Sequence, residues 1–316
     1  MPTPYFTLAL MLLCALFALL AASLLMMARL LLRPARMSDG KAAYLLKRLS
    51  PGDLGLHFQT LEFEVRDDHS QKPIKLAAWW IAHPAARGKC VVIIHGYGDA
   101  KVGAIAWAPM WHELGYHILA IDLRAHGESE GRETTAGYFE RHDLNRILDQ
   151  LCAARPADTR TLVLFGISLG GAVSLAAAET RENIVAIVLD SPFTQYSHAV
   201  RAHARRMNMP FPKLIPWSIR LAQSLSGARF DDVRPIDLLT RVRCPIMVIA
   251  GGCDPFLPAE DLSLLEATMA RRTDGVSRFW KVPEGEHVLS ISTDPEAYRE
   301  RIEAFLKDVL ALREVP

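Results

Sequence analysis

The sequence has few cysteines and no pair of them spaced for shared chemistry. There are five, at positions 14, 90, 152, 244 and 253, and none forms a CxxC. An odd number without such spacing gives no sign of a disulfide framework. The thiols read as free and mostly buried, as a reducing compartment permits. Charge of one sign is also missing. Lys and Arg number 36 and Asp and Glu 35, for a formal net charge of +1. Such balance offers no basic footprint for nucleic acid. Low-complexity tracts and internal repeats are absent. Between residues 194 and 228 acidic residues are missing altogether.

Half of the 316 residues are hydrophobic, enough for one large α/β domain with a sizeable core. The most apolar run, Tyr5 to Ala28, carries no charge. A helix of about 20 apolar residues spans a bilayer core, so this run is long enough. A signal peptide is the competing reading. Against it, "MPTP" has no basic residue, and "LLMM" follows the weak cleavage-like pair Ala21 and Ser23. Residues 1–32 therefore read as a retained anchor and 33–56 as a basic linker with one short helix. Arg29, Arg33, Arg36, Lys41, Lys47 and Arg48 follow the span and place its C-terminal side in the cytoplasm. The expectation is a single-pass inner-membrane protein. The alternative is a secreted or periplasmic one after signal cleavage.

Beyond the linker, apolar runs alternate with helical patterns. "LEFEVRD" (61–67), "IKLAAWWIA" (74–82), "CVVIIHG" (90–96), "HILAIDL" (117–123), "TLVLFG" (161–166), "IVAIVLD" (184–190), "IMVIAGG" (246–252) and "RFWKVP" (278–283) predict eight strands. Helices are predicted at 101–114, 137–154, 169–180, 259–271 and 295–313. The alternation argues a mostly parallel sheet covered on both faces. Residues 194–236 exceed what a crossover needs. They are rich in Met, Pro and aromatics and read as a small cap inserted in a domain spanning 57–316. Trp79 and Trp80 alternate on one strand, which predicts one in the core and one on the surface. His198 and His203 sit among cap arginines and read as part of a solvated basic face.

Ligands of open parallel sheets bind beyond the carboxyl ends of the strands. Those ends carry His95-Gly96-Tyr97, Gly166-Ile167-Ser168-Leu169-Gly170, Asp254 and His287. Ser, Asp and His thus follow one another down the chain. A serine hydroxyl becomes a nucleophile when an imidazole takes its proton. The imidazole needs a carboxylate on its other nitrogen. Gly166 and Gly170 flank Ser168 so that it can occupy a sharp strand-to-helix turn. The oxyanion needs two fixed N–H donors, predicted from Leu169 and, in the loop after Gly96, from Tyr97. His287 is the one histidine after Asp254. Asp190, also at a strand end, is the backup acid.

With these residues in this order, the chain resembles the α/β-hydrolase fold over about residues 57–314. "HGYGD" (95–99) is similar to that family's oxyanion loop. "DLRAHGES" (122–129) is similar to a block found in its esterase, lysophospholipase and peptidase branches, with Ala125 in place of the usual glycine. "LDSPF" (189–193) and "GGCDPFLP" (251–258) are also family-like. The resemblance is to membrane-anchored esterase, lysophospholipase and thioesterase-like members. It implies a Ser168-His287-Asp254 triad, no metal or cofactor, and a small acyl ester or thioester substrate, lipid-derived among the options. Two rivals stand beside it. One is a serine peptidase or amidase, which the lack of cap carboxylates disfavours because a substrate ammonium would have no partner there. The other is an inactive scaffold.

Overall fold

A strand that is apolar at every position must be covered on both faces. The computed structural model describes residues 4–209 and 211–314 and arranges these strands in an eight-stranded sheet. They are β1 (Gln59–Arg66), β2 (Pro73–Ile81), β3 (Lys89–Ile94), β4 (His117–Ile121), β5 (Thr161–Ile167), β6 (Ile184–Asp190), β7 (Ile246–Gly251) and β8 (Arg278–Val282). Their order across the sheet is β1-β2-β4-β3-β5-β6-β7-β8. β2 runs antiparallel to both its neighbours, and the other pairings are parallel.

The helices are α1 (Pro4–Leu32), α2 (Asp39–Leu46), α3 (Lys101–Ala104), α4 (Ala108–Glu113), α5 (Glu140–Ala154), α6 (Leu169–Ala178), α7 (Tyr196–Arg206), α8 (Ile215–Ser226), α9 (Pro235–Arg241), α10 (Ala259–Ala270), α11 (Ser290–Thr293) and α12 (Pro295–Glu314). The strand period of two divides the core between two layers. On β3, Val92 and Ile94 pack with α5 and α6, while Val91 and Ile93 pack with α4 and α12. A fully buried aliphatic side chain contributes about 1.5–3 kcal/mol, so each strand is held from both sides.

Three expectations need correction. The helix predicted over 101–114 is broken. A 3-10 turn spans Ile105–Trp107, and α4 restarts with Pro109 in its first turn. Proline has no N–H to continue the preceding helix. Trp79 and Trp80 do not divide between core and surface; they are 7% and 1% exposed. Lys101 Nζ covers Trp79 at 4.7 Å from its ring centre, and His117 stacks on Trp80. The thiols are free but not mostly buried. Cys90 is buried, Cys152 and Cys244 are partly so, and Cys14 and Cys253 are exposed.

α1 is 29 residues long and apolar enough to cross a membrane. Most of it is exposed, but Met27, Ala28 and Leu32 at its C-terminal end are buried. They share a third apolar cluster with Ile215, Ile219 and Ala222 of α8.

Candidate active site

β5 ends at Ile167 and α6 begins at Leu169, so Ser168 alone turns the chain. Its φ of 50° and ψ of −109° lie outside the ordinary regions for serine. Strain of this kind amounts to roughly 1–3 kcal/mol and persists where neighbours enforce it. Here the neighbours are close. A Cβ on Gly170 would strike the carbonyl oxygen of Ile94 on β3, and one on Gly166 would come within 2.6 Å of Ser174 Oγ. The Ser168 N–H donates to the Asp190 carbonyl at 2.9 Å.

The loop after β3 reaches the same point. A Cβ on Gly96 would lie 3.4 Å from Ser168 Cβ. His95, fully buried, shapes the loop. Its Nε2 accepts from the Leu123 N–H at 3.0 Å, so its Nδ1 carries the proton and donates to the Gly96 carbonyl at 2.7 Å. Burial holds this imidazole's pKa well below the usual histidine range, which keeps it neutral. Among the described residues, neither the Tyr97 N–H nor the Leu169 N–H has a hydrogen-bond acceptor. The Leu169 N–H also stands at the positive end of α6.

Beyond β8, His287 Nδ1 lies 2.6 Å from Asp254 Oδ2. The Asp254 side chain is 1% exposed and that of His287 18%. Asp254 Oδ1 accepts from the Phe256 N–H at 2.7 Å. Asp190 is not brought onto the imidazole. It accepts from the Tyr298 hydroxyl at 2.6 Å and from Ser191 Oγ at 2.8 Å, and burial raises its pKa. Ser191 Oγ in turn accepts from the Val288 N–H at 2.9 Å. Val288 has a φ of 60°, an outlier for a β-branched residue. Asp190 therefore braces the loop that carries His287. Among the described residues no hydrogen bond joins Ser168 Oγ to His287. Nucleophile–base bonds commonly shorten once a substrate is held.

A cavity of about 380 Å³ opens above Ser168. Tyr97 and Leu169 line it beside the serine, and Phe193, Tyr196 and Val200 form an apolar side. Its lining includes Arg33 but no carboxylate. His203 also lines it, contrary to the solvated face expected. Its ring stacks on Phe256 at 4.0 Å, and Phe256 meets His287 edge-on at 4.9 Å. The spacing of Tyr196, Val200, His203 and Met207 along α7 is the signal that places His203 on the apolar side. His198 instead meets Asp261 at 3.0 Å.

The "DLRAHGES" block holds the scaffold. Lys101 Nζ donates to the fully buried Asp122 at 2.6 Å and also pairs with Glu128. Arg124 forms two bonds to Asp143, at 2.6 and 2.8 Å. Ala125 has a φ of 62°, a left-handed conformation that glycine adopts more easily. Among the described residues no cluster of three or more His, Cys, Asp or Glu is placed to hold a metal ion.

Comparison with known proteins agrees with this fold. A family model described as "Hydrolase_4: Serine aminopeptidase, S33" matches residues 85–237. The uncharacterized protein YqkD of Bacillus subtilis is 24% identical over 226 residues, which is 69% of this chain and 71% of that protein. The uncharacterized protein YfhR of Escherichia coli K12 is 27% identical over 266 residues, 80% and 81% of the two chains. The Pyrococcus furiosus esterase Pf2001 superposes with a TM-score of 0.68 over 87% of this chain and 99% of its own, at 24% identity. That likeness shows the fold, and the family model, which spans just under half of the chain, supports a hydrolase. The chain is a hydrolase of the α/β-hydrolase fold.

Proposed function

We propose that the chain is a membrane-anchored serine hydrolase that cleaves carboxylic esters or thioesters. The observation that carries this reading is the placement of Ser168. It sits on a strained elbow and opens into an apolar cavity beside two N–H groups without acceptors. Ser168 Oγ attacks the acyl carbonyl carbon while His287 Nε2 takes its proton. The Tyr97 and Leu169 N–H groups hold the oxyanion. The tetrahedral intermediate collapses, the C–O or C–S bond breaks, and the leaving alcohol or thiol takes the proton from His287. Water repeats the sequence on the acyl-enzyme and releases the acid. Asp254 keeps the His287 Nδ1 proton in place and stabilises the imidazolium.

The absence of a carboxylate from the cavity lining favours acyl esters over peptides with a free amino terminus, whose ammonium would lack a partner. The flanking arginines and lysines support insertion of α1 with the catalytic domain in the cytoplasm. The test is hydrolysis of p-nitrophenyl esters by detergent-solubilised protein beside a Ser168→Ala control, with fluorophosphonate labelling. Activity and labelling that vanish in the control are expected. A wild-type protein that neither hydrolyses any chain length nor labels would leave an inactive scaffold.

A further inference from the structure

The cavity above Ser168 has a wall that no triad residue requires. Met27, Leu30 and Leu31, near the C-terminal end of α1, line it, and Pro34 follows. The spacing 27, 30, 31 is one face of the helix, and Pro34 lies just past its end. The opposite wall belongs to the cap helices α7 and α8.

The body of the domain holds this end of α1 in place. The Tyr97 hydroxyl donates to the Leu30 carbonyl. The Thr134 N–H donates to the Leu32 carbonyl at 2.8 Å. Carbonyls at a helix C-terminus have no partner within the helix, so these bonds satisfy groups that would otherwise need water. Glu140, fully buried, fixes the loop that supplies Thr134 by accepting from Thr134 Oγ1 at 2.7 Å and from the Thr135 N–H at 2.7 Å. Just past the helix, Arg36 donates to the carbonyls of Gly127, Ser129 and Gly131. Residues 33–36 thus lie against the catalytic domain. Upstream, the same helix is exposed and apolar, with Leu12 63% and Phe17 74% exposed.

The cap surface has a matching character. Met207, Phe211 and Trp217 are exposed, and so are Arg201, Arg205 and Arg206, in a stretch without acidic residues. Exposed apolar side chains among cations suit an anionic lipid surface.

Resting on the serine-hydrolase reading, we propose that α1 is one wall of the acyl-binding site as well as an anchor. The substrate class is a long-chain acyl ester or thioester dissolved in the bilayer that α1 spans. Its chain enters along the Met27–Leu31 face and its carbonyl reaches Ser168 without crossing water.

The test uses the full chain reconstituted in vesicles of phosphatidylcholine and phosphatidylglycerol. kcat/KM is measured for acetyl, octanoyl and palmitoyl p-nitrophenyl esters with wild type, Leu31→Trp and Met27→Ala. Each methylene excluded from the cavity forfeits about fourfold. Leu31→Trp is expected to lower the palmitoyl-to-acetyl ratio at least about tenfold, the loss of two methylenes. Met27→Ala is expected to move the preference toward longer chains. Fluorophosphonate labelling scores whether each variant keeps its site. In the wild type, a diazirine-bearing palmitoyl ester should crosslink to residues 24–36, read by mass spectrometry. This arm decides the matter if either variant fails to fold. Unchanged chain-length profiles in labelled variants, or crosslinks that avoid α1, would overturn the proposal and leave the hydrolase reading intact. A wild type that neither labels nor cleaves any ester would overturn both.

Discussion

His287 Nδ1 lies 2.6 Å from Asp254 Oδ2, and the other candidate acid, Asp190, bonds to Tyr298 and Ser191. The two carboxylates therefore have separable effects. Asp254→Asn is expected to reduce kcat about 10⁴-fold, because an amide donor in that place favours the wrong imidazole tautomer. Asp190→Asn is expected to lower kcat by less than about tenfold and to act mainly on stability, since its partners are hydroxyls that an amide can still engage. Steady-state ester hydrolysis beside urea denaturation separates the two. Equal loss of kcat in both variants would contradict the assignment.

Gly170 is a position where a methyl group has nowhere to go. Its Cβ would meet the backbone carbonyls of Ile94 and His95, the latter at 2.8 Å, and neither strand end can swing aside as a side chain would. Gly170→Ala is expected to destabilise the fold by about 2 kcal/mol or more and to disturb the elbow together with it. A melting temperature equal to that of the wild type would show that β3 and α6 have room to separate.

Asp99 gives the protein a stability that depends on pH. Burial raises its carboxyl from 3.8 to about 6, and the nearby Asp122 adds to the effect. A carboxyl that binds its proton more tightly when folded favours folding at low pH. That contribution is complete below about pH 4 and is lost as the pH rises through about 6. Asp99→Asn keeps the uncharged state at all pH values. It is expected to be more stable than wild type by about 3 kcal/mol at pH 8, on the basis of about 1.4 kcal/mol per pK unit, and nearly equal to it at pH 4. Urea titrations at the two pH values measure the difference. Parallel pH profiles for the two proteins would count against the buried, protonated carboxyl.

The sheet was legible because its central strands, β3 to β7, are apolar at nearly every position, and a parallel sheet covered on both faces leaves little choice of register. The elbow was legible because Gly166 and Gly170 stand where only small residues fit. His203 and the α1 wall were not. His203 lies among arginines, and its side of α7 emerges only when Tyr196, Val200 and Met207 are traced around the helix. α1 is apolar on every side, so no periodicity distinguishes the turns that meet lipid from those that meet the cap. Its docking depends on hydrogen bonds from Tyr97 and Thr134, far away in the chain. Trp79 misled for a related reason. Alternation along β2 does not reveal a lysine that lies over the outer ring.

The brace formed by Tyr298, Asp190 and Ser191 carries an implication for biosynthesis. Ser168 is made after α1, and His287 and Tyr298 are made well after Ser168. On the proposed reading, the growing chain therefore holds its nucleophile for a stretch of translation without the base or the helix that steadies it. On that reading the site is complete only once α12 packs against β6.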